Sequence, residues 1–464
     1  MTETKDYFFC GVGGSGMLPL AMIVKARGAR VEGSDRALDQ GRTGAKFDYL
    51  KSLGVELHKQ DGSGLTRESQ ILVASAAVED KVPDVVAANT AGAKRMSRAE
   101  LLAQLFNESK CSIGVAGTSG KSTTTAMIGW ILYHAGKSPT VMNGAVMKNF
   151  VKPDALFASA LVGEGEAFVS EVDESDGSIA MFHPTIAVLN NISLDHKSMD
   201  ELRALFGGFI GDAETAVLNL DNDETALLAE KHVGAKTTYS ITGQDADLAG
   251  ENISPEPFGV SFEVAARNGE KAAVALKMPG RHNVSNALAA IAAATACCVP
   301  LEKAAAALAE FEGVKRRLEY VGESGGVTVI DDFGHNPDKI TASLKTLHEF
   351  PGRLLIMFQP HGFGPLNKMK GEFIATFAEH LEKDDVLLMP EPVYFGGTVD
   401  RSVSSDDIAA GIVAAGRRAE ALATRDDCGD RLIELARPGD RIVIMGARDD
   451  TLSIFAADLL KRLA

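Results

Sequence analysis

Cysteine is scarce in this chain, with 5 in 464 residues, at positions 10, 111, 297, 298 and 428. An odd number leaves one thiol over in any complete disulfide scheme, and no C-x-x-C pair offers a zinc corner. A reducing cytoplasm is the expected setting. Positive charge is also in deficit: 47 Lys and Arg face 63 Asp and Glu, a formal charge of −16. That balance argues against a nucleic-acid partner, whose phosphates need a basic face. No long apolar run is present. The most apolar long stretch, Val284 to Pro300, is alanine-rich, broken by Ser285 and Asn286, and too short for a bilayer, so it reads as a buried helix and no membrane partner is expected. The amino terminus carries Glu3 and lacks the basic start and apolar run of a secretory leader. Low-complexity tracts are missing too, and 45% hydrophobic with 24% charged residues describes a folded globular protein.

The length of 464 residues points to about three domains. Short β-branched or aromatic runs repeatedly end in a polar or glycine loop and lead into helical patterning. The clearest are Tyr7–Cys10, Ser112–Ala116, Ala167–Val172, Thr185–Leu189, Val327–Ile330, Leu354–Phe358 and Arg441–Met445. This is the pattern of α/β domains built on mainly parallel sheets, in which ligands gather beyond the carboxyl ends of the strands. Three blocks emerge, 1–109, 110–313 and 314–464. The middle block also holds an alternating segment, Val260 to Met278, whose Asn268-Gly269 pair reads as a hairpin turn.

Two glycine loops follow such strands. Gly11-Val12-Gly13-Gly14-Ser15-Gly16 opens a helix, and Asp35 ends the next strand. Small residues there let a diphosphate approach a helix amino terminus while a carboxylate sits near a ribose. Taken alone this suggests a nicotinamide dehydrogenase, but the same turn accepts other nucleoside diphosphates, UDP-sugars included. Gly117-Thr118-Ser119-Gly120-Lys121-Ser122-Thr123 is the second loop. Its backbone N–H groups would cradle phosphates, Lys121 would neutralise the outer ones, and Ser122 would offer a hydroxyl to Mg²⁺. The strict spacing fails, because Val115 stands where a first glycine is expected. The order strand, glycine loop, lysine, hydroxyl, helix carries the assignment.

Further polar groups stand after other strands: Glu171-Val172-Asp173-Glu174-Ser175-Asp176, Asn190-Asn191 leading to Asp195-His196, Asp331 to Pro337, and Phe358-Gln359-Pro360-His361. Acids and a histidine at one sheet edge can complete a Mg²⁺ shell begun at the phosphate loop. Read singly, they are equally well solvated acids, helix caps and Pro-stabilised turns.

Together these segments, with Gly33-Ser34-Asp35, Gly280-Arg281-His282-Asn283, Asn286 and Lys315-Arg316-Arg317, resemble the Mur ligases over essentially the whole chain. The likeness is strongest to the branch that acts on UDP-N-acetylmuramate with L-alanine or with a preformed peptide. It implies a Rossmann-like first domain for the UDP-sugar, a central P-loop-type ATPase domain, and a Rossmann-like third domain that admits the amino acid and closes the site. It assigns Gly13, Gly14, Ser15, Gly16, Met17, Ser34, Asp35 and Ser75 to the sugar nucleotide. ATP falls to Gly117 through Thr123, with Asn191, His282, Asn283, Arg316, Arg317 and Asp332. Mg²⁺ falls to Ser122, Glu174 and His196, with Glu171 as runner-up to Glu174. Lys121, His196 and His335 carry the catalytic work, His335 beside the incoming amine. The implied partners are UDP-N-acetylmuramate and an amino acid or short peptide, in a monomer or homodimer.

The chain departs from that family at Lys197-Ser198, where relatives carry a methionine-containing continuation after the Asp-His pair, and in two further places. Ser119 stands where close relatives have histidine, and Gly362-Phe363-Gly364-Pro365-Leu366-Asn367-Lys368 replaces an arginine-bearing stretch. An arginine pair grips a carboxylate bidentately and lysine does not replace it, so these positions bear on the acceptor. A peptide-recycling ligase, a dehydrogenase and a nucleotide-binding regulator without turnover are the other readings.

Overall fold

The computed structural model describes residues 4–464 except 77, 154, 195, 196, 394–402, 448 and 450. Three sheets carry the α/β architecture. The first contains β1 (Asp6–Cys10), β2 (Arg30–Ser34), β3 (Glu56–His58), β4 (Gln70–Ala74) and β5 (Lys94–Ser97), all parallel in the order β3-β2-β1-β4-β5. The second contains β6 (Cys111–Ala116), β7 (Thr140–Met142), β8 (Ala160–Leu161), β9 (Ala167–Glu171), β10 (Ile186–Leu189), β11 (Thr215–Asn219), β12 (Ala235–Ser240), β13 (Leu248–Glu256), β14 (Gly259–Ala266) and β15 (Lys271–Leu276). Its order is β15-β14-β13-β12-β11-β10-β6-β9-β7-β8, parallel from β12 through β7. The expected hairpin turn is present, with Gly269 at φ +92° and Ala266 and Glu270 bonded across it.

The third sheet contains β16 (Glu319–Ser324), β17 (Val327–Asp332), β18 (Leu354–Gln359), β19 (Val386–Pro390), β20 (Ala419–Leu422) and β21 (Arg441–Gly446), in the order β16-β17-β21-β18-β19-β20. Only the edge strand β16 runs antiparallel. β17, β18 and β21 are buried end to end, as strands covered on both faces must be, which is why they read as continuous apolar runs in the sequence.

The strand orders decide where ligands can bind. β1 lies between β2 and β4, and β6 between β10 and β9, so the chain leaves each central strand towards neighbours on opposite sides. A crevice opens at such a switch point, beyond the strand ends, and the two glycine loops occupy those positions.

The chain forms two compact units, one of residues 1–253, 261–276 and 283–314, the other of 254–260, 277–282 and 315–464. The first two sheets share one unit because their cores are continuous. Phe106, from the helix Arg98–Asn107 behind the first sheet, meets Phe168 of β9 and Phe182 edge-on, at centroid distances of 6.0 and 5.3 Å. The stretch Val284–Pro300 is indeed largely a buried helix, Arg281–Ala296, and no helix among the described residues is long and apolar enough to cross a membrane.

One buried carboxylate ties the third sheet together. Asp385, which precedes β19, accepts hydrogen bonds from the N–H groups of Leu354 and Glu382 and from His348 Nε2, each at 2.8 Å. Burial pushes its carboxyl up, but the His348 bond and the two backbone bonds outweigh burial and hold it below the usual carboxylate range. A depressed pKa contributes stability that is complete above the unfolded value of about 3.9 and is lost as pH falls through the folded one. Denaturant unfolding at pH 7 and at successively lower values down to pH 3 should therefore show a steep acid limb in the wild type. That limb should be flatter in Asp385→Asn.

Candidate active site

The loop after β6 is built to face an anion. It runs into the helix Lys121–His134, whose N-cap Gly120 has no side chain to bond the first turn, and that turn carries no acidic residue. The first N–H groups of a helix have no intrahelical partner, and the helix dipole adds positive potential there. Gly120 sits at φ +85°, and a Cβ on it would meet Asn286 Oδ1 at 2.5 Å and Asn190 Nδ2 at 2.8 Å. Glycine is thus required twice, for conformation and for space.

The loop is braced by amide side chains. Asn191 Oδ1 accepts from the Ser119 N–H at 2.9 Å and its Nδ2 donates to Ser119 O at 3.2 Å, while Asn191 O accepts from the Thr118 N–H at 3.0 Å. The Thr118 hydroxyl and the Ser193 backbone exchange two further bonds. Asn190 Nδ2 donates to Thr124 Oγ1 at 3.0 Å, Thr124 Oγ1 lies 3.3 Å from Asn286 Oδ1, and Asn286 Nδ2 donates to Asn283 Oδ1 at 3.1 Å. Asn143, at the end of β7, donates to Ser122 O at 3.0 Å. The Oδ1 atoms of Asn143 and Asn190 are buried without a partner. Thr123 is buried in the first helical turn.

Lys121 Nζ donates to Gly117 O at 2.6 Å and to Glu174 Oε2 at 3.1 Å, so the lysine lies back over its own loop against a buried carboxylate. Glu174 thus meets Lys121, and Ser122, the next residue of the helix, is buried as well. Glu171 is turned elsewhere, accepting from the Gly144 N–H at 2.6 Å. Asp195 and His196 lie outside the described residues. A helix amino terminus, a lysine, a hydroxyl and a carboxylate form the donor set for phosphate with a hard divalent cation, so the residues present fit ATP and Mg²⁺. The cluster Glu32, Glu56 and His58 in the first sheet also has ligand-like spacing. Arg67 and Arg30 already neutralise Glu32 there, and His58 Nε2 lies 2.9 Å from it.

The first glycine loop is pinned by Asp35, which accepts from the Gly13 N–H at 2.9 Å with one oxygen and caps the next short helix through Ala37 N–H with the other. Gly13 is buried, Gly14 and Ser15 are exposed, Gly16 is half-buried, and Met17 begins the helix Met17–Ala26. The Ser34 hydroxyl donates to Asp84, a fully buried carboxylate that burial pushes up against the opposing effects of Ser34 and the Gly62 N–H. Ser75 follows β4, half-buried. Two cations at this loop escaped the sequence reading: Lys46 Nζ donates to Gly13 O at 3.1 Å, and the Arg98 side chain lies over Gly16. No local motif marks either.

In the other unit, two expected ATP ligands are engaged in the fold. Arg316, buried and at φ +60°, bonds Asp331 Oδ1 at 3.2 Å, Gly446 O at 2.7 Å and Asp449 O at 3.1 Å. Burial raises Asp331, with Arg316 the leading opposing influence. Asp332 accepts from the Leu318 and Gly334 N–H groups, both at 3.0 Å, and from the Ser343 hydroxyl at 2.7 Å. Arg317, half-buried, instead lies over the Phe333 ring at 4.5 Å. His335 Nδ1 is 2.9 Å from Phe333 O, and a carbonyl only accepts, so Nδ1 carries the proton and Nε2 is the acceptor of the neutral ring. His282 is exposed.

Comparison with known proteins agrees with this geometry. Residues 6–110 match the Mur ligase family catalytic domain, 115–294 the Mur ligase middle domain, and 316–448 the Mur ligase glutamate ligase domain. The UDP-N-acetylmuramate–L-alanine ligase of Cereibacter sphaeroides is 36% identical over 99% of this chain and 97% of its own length. That of Geobacter sulfurreducens is 35% identical over 96% and 95%. Among solved structures, the UDP-N-acetylmuramate–alanine ligase of Thermotoga maritima has TM-score 0.79 and 25% identity over 98% of both chains. The murein peptide ligase of Psychrobacter arcticus has TM-score 0.74 and 25% identity over 99% of this chain and 98% of its own. With full-length relatives at this identity and all three domains matched, the chain belongs to the Mur ligase family.

Proposed function

We propose that the protein is a cytoplasmic, ATP-dependent, ADP-forming ligase that joins the carboxylate of UDP-N-acetylmuramate to an amino acid, L-alanine first, in peptidoglycan precursor synthesis. The observation that carries this reading is Lys121 held between its own phosphate loop and the buried Glu174, in the same unit as a second, separate glycine loop. A dehydrogenase has no use for the first arrangement, and a regulator without turnover has no need to keep lysine, hydroxyl and carboxylate together. The domain limits 1–109, 110–313 and 314–464 belong to the same proposal.

The chemistry explains the residues. A carboxylate resists amine attack because oxide is a poor leaving group, so the γ-phosphoryl is first transferred to it and ADP leaves; the amine nitrogen then attacks the acyl carbon, the bond from that carbon to the phosphate oxygen breaks, inorganic phosphate departs, and the nitrogen gives up a proton as the amide forms. Two anions must meet, and the N–H groups of the first helical turn and Lys121 hold the phosphoryl oxygens while their charge redistributes. Ser122, Glu174 and His196 are the residues that would hold Mg²⁺, which would supply further positive charge to the phosphates. Asn191, Asn283 and His282 serve the nucleotide. The roles assigned to Asp35, Ser34, Ser75 and the first loop concern the sugar nucleotide, and His335 Nε2 accepts from the incoming amine. Of the two arginines, Arg317 is the nucleotide ligand, while Arg316 and Asp332 set the frame around it.

A second reading, attachment of a preformed peptide, is favoured by the segment after β18. Its short helix Phe363–Lys368 contains no arginine to grip an amino-acid carboxylate.

Phosphate release from ATP should require UDP-N-acetylmuramate and an amine together. A panel of L-alanine, other amino acids and a tripeptide, read by phosphate release, separates the two readings, and release with no pair would sink both. Lys121→Ala should lower kcat at least about a hundredfold, since a lost transition-state charge contact costs about 3 kcal/mol. Arg316→Ala should cost about 3–5 kcal/mol of unfolding free energy, because Asp331 would be left buried and unpaired. Arg317→Ala should raise the KM for ATP and cost far less unfolding free energy than Arg316→Ala, since its contact with Phe333 is worth about 1 kcal/mol.

A further inference from the structure

The two thiols of Cys111 and Cys297 meet although they stand 186 residues apart, with their Sγ atoms 3.6 Å from one another. Both are half-buried, open enough for a small oxidant. Cys111 opens β6, the strand that leads into the phosphate loop, and Cys297 directly follows the helix Arg281–Ala296, whose first turns carry Asn283 and Asn286. The pair therefore lies at the base of the two elements whose other ends meet beside Gly120.

We infer that Cys111 and Cys297 form a reversible redox site, closed to an intramolecular disulfide by a hydroperoxide. The local chemistry divides the labour. The hydrogen bond between the two sulfurs lowers the Cys111 thiol to about 7, burial opposes this, Lys137 assists, and Glu166 and Glu214 oppose. Cys297 is raised, by the same hydrogen bond and by burial. Of two thiols in contact, the one held lower is suited to attack and the other to resolve. Cys10 and Cys428 form a built-in contrast, since burial pushes each up to about 12.

The Cys111 thiolate attacks one peroxide oxygen, the O–O bond breaks, and hydroxide leaves and is protonated to water, giving a sulfenic acid. Cys297 sulfur then attacks Cys111 sulfur. The S–O bond breaks, the Cys297 proton goes to the departing oxygen, and a second water leaves. Two thiols have lost two electrons and one peroxide has gained them.

Exposed Cys298 is the competitor, able to pair with its neighbour or with another chain. The test uses the full-length protein with a few equivalents of hydrogen peroxide near pH 7.5. Intact mass should fall by about 2 Da as two thiols become a disulfide. Non-reducing peptide mapping should join the Cys111 and Cys297 peptides, and dithiothreitol should reverse both changes. The melting midpoint should rise by several degrees on oxidation, since the bond closes a long loop of the unfolded chain. Cys297→Ser should abolish cross-link and shift and should leave a dimedone-reactive sulfenic acid on Cys111. Cys10→Ser should behave as wild type. A cross-link through Cys298, or Cys111 driven to sulfinic acid in the wild type without any cross-link, would overturn the inference. Should a serine variant fail to fold, the wild-type peptide map alone decides.

Discussion

A loop that binds phosphate must keep its helix-terminal N–H groups turned towards the ligand, which denies it the internal hydrogen bonds that hold an ordinary turn. The restraint has to come from outside. Here it comes from amides at the ends of neighbouring strands. Asn191 bonds both backbone groups of Ser119, Asn190 and Asn286 close on Thr124, and Asn143 reaches Ser122. Uncharged donors and acceptors suit this task. A carboxylate in those positions would repel the phosphates, and an arginine would compete with the loop for them. Among the described residues the charged brace is the Lys121–Glu174 pair, whose members are the two groups assigned to nucleotide and cation.

The same constraint explains why β6 lies between β10 and β9. Asn190 and Asn191 follow β10 and Glu174 follows β9, so the switch point is what brings amides from one side and acids from the other against a single loop. The third domain solves a different problem. Its strand ends carry Asp331 and Asp332, and both are consumed internally, one by Arg316 and Ser453, the other by Leu318, Gly334 and Ser343. These bonds hold the chain from Arg316 to Leu318 against β17. Arg317 is thereby presented over Phe333 while its neighbour is buried.

Local patterns were legible in the sequence. The seven apolar runs became strands, both glycine loops fell at switch points, and Asn268-Gly269 turned a hairpin, because each depends on residues within a few positions of one another. Lys46 and Arg98 at the first loop, Asn143 beneath the second and Asp84 behind Ser34 were not legible. Each acts across 21 to 82 residues of separation, through contacts that only the sheet order creates. Arg316 was named, but its sequence cannot distinguish a ligand from a scaffold. A run of basic residues looks alike whether one of them is buried against Asp331 or none is.

Acceptor selection is where the two units differ most in kind. On the phosphate side, the groups assembled are a helix amino terminus and the amides that brace its loop, an arrangement that suits any nucleoside triphosphate. On the acceptor side it must rest on charge, because free amino acids and peptides differ in where their carboxylates and amines stand. Arg425 is occupied by Asp449 at 3.2 Å and by Thr451, and Asp449 also takes Gln359 at 2.9 Å, so this arginine is neutralised at the ends of β18 and β21. Lys370 is paired with Asp407, while Lys368 stands exposed on the short helix that replaces the arginine-bearing stretch. A single flexible ammonium holds a carboxylate without fixing its plane. If the acceptor carboxylate of the proposed reaction meets Lys368, selection would go by reach more than by orientation, and chain length of the amine substrate would be the variable with the largest effect.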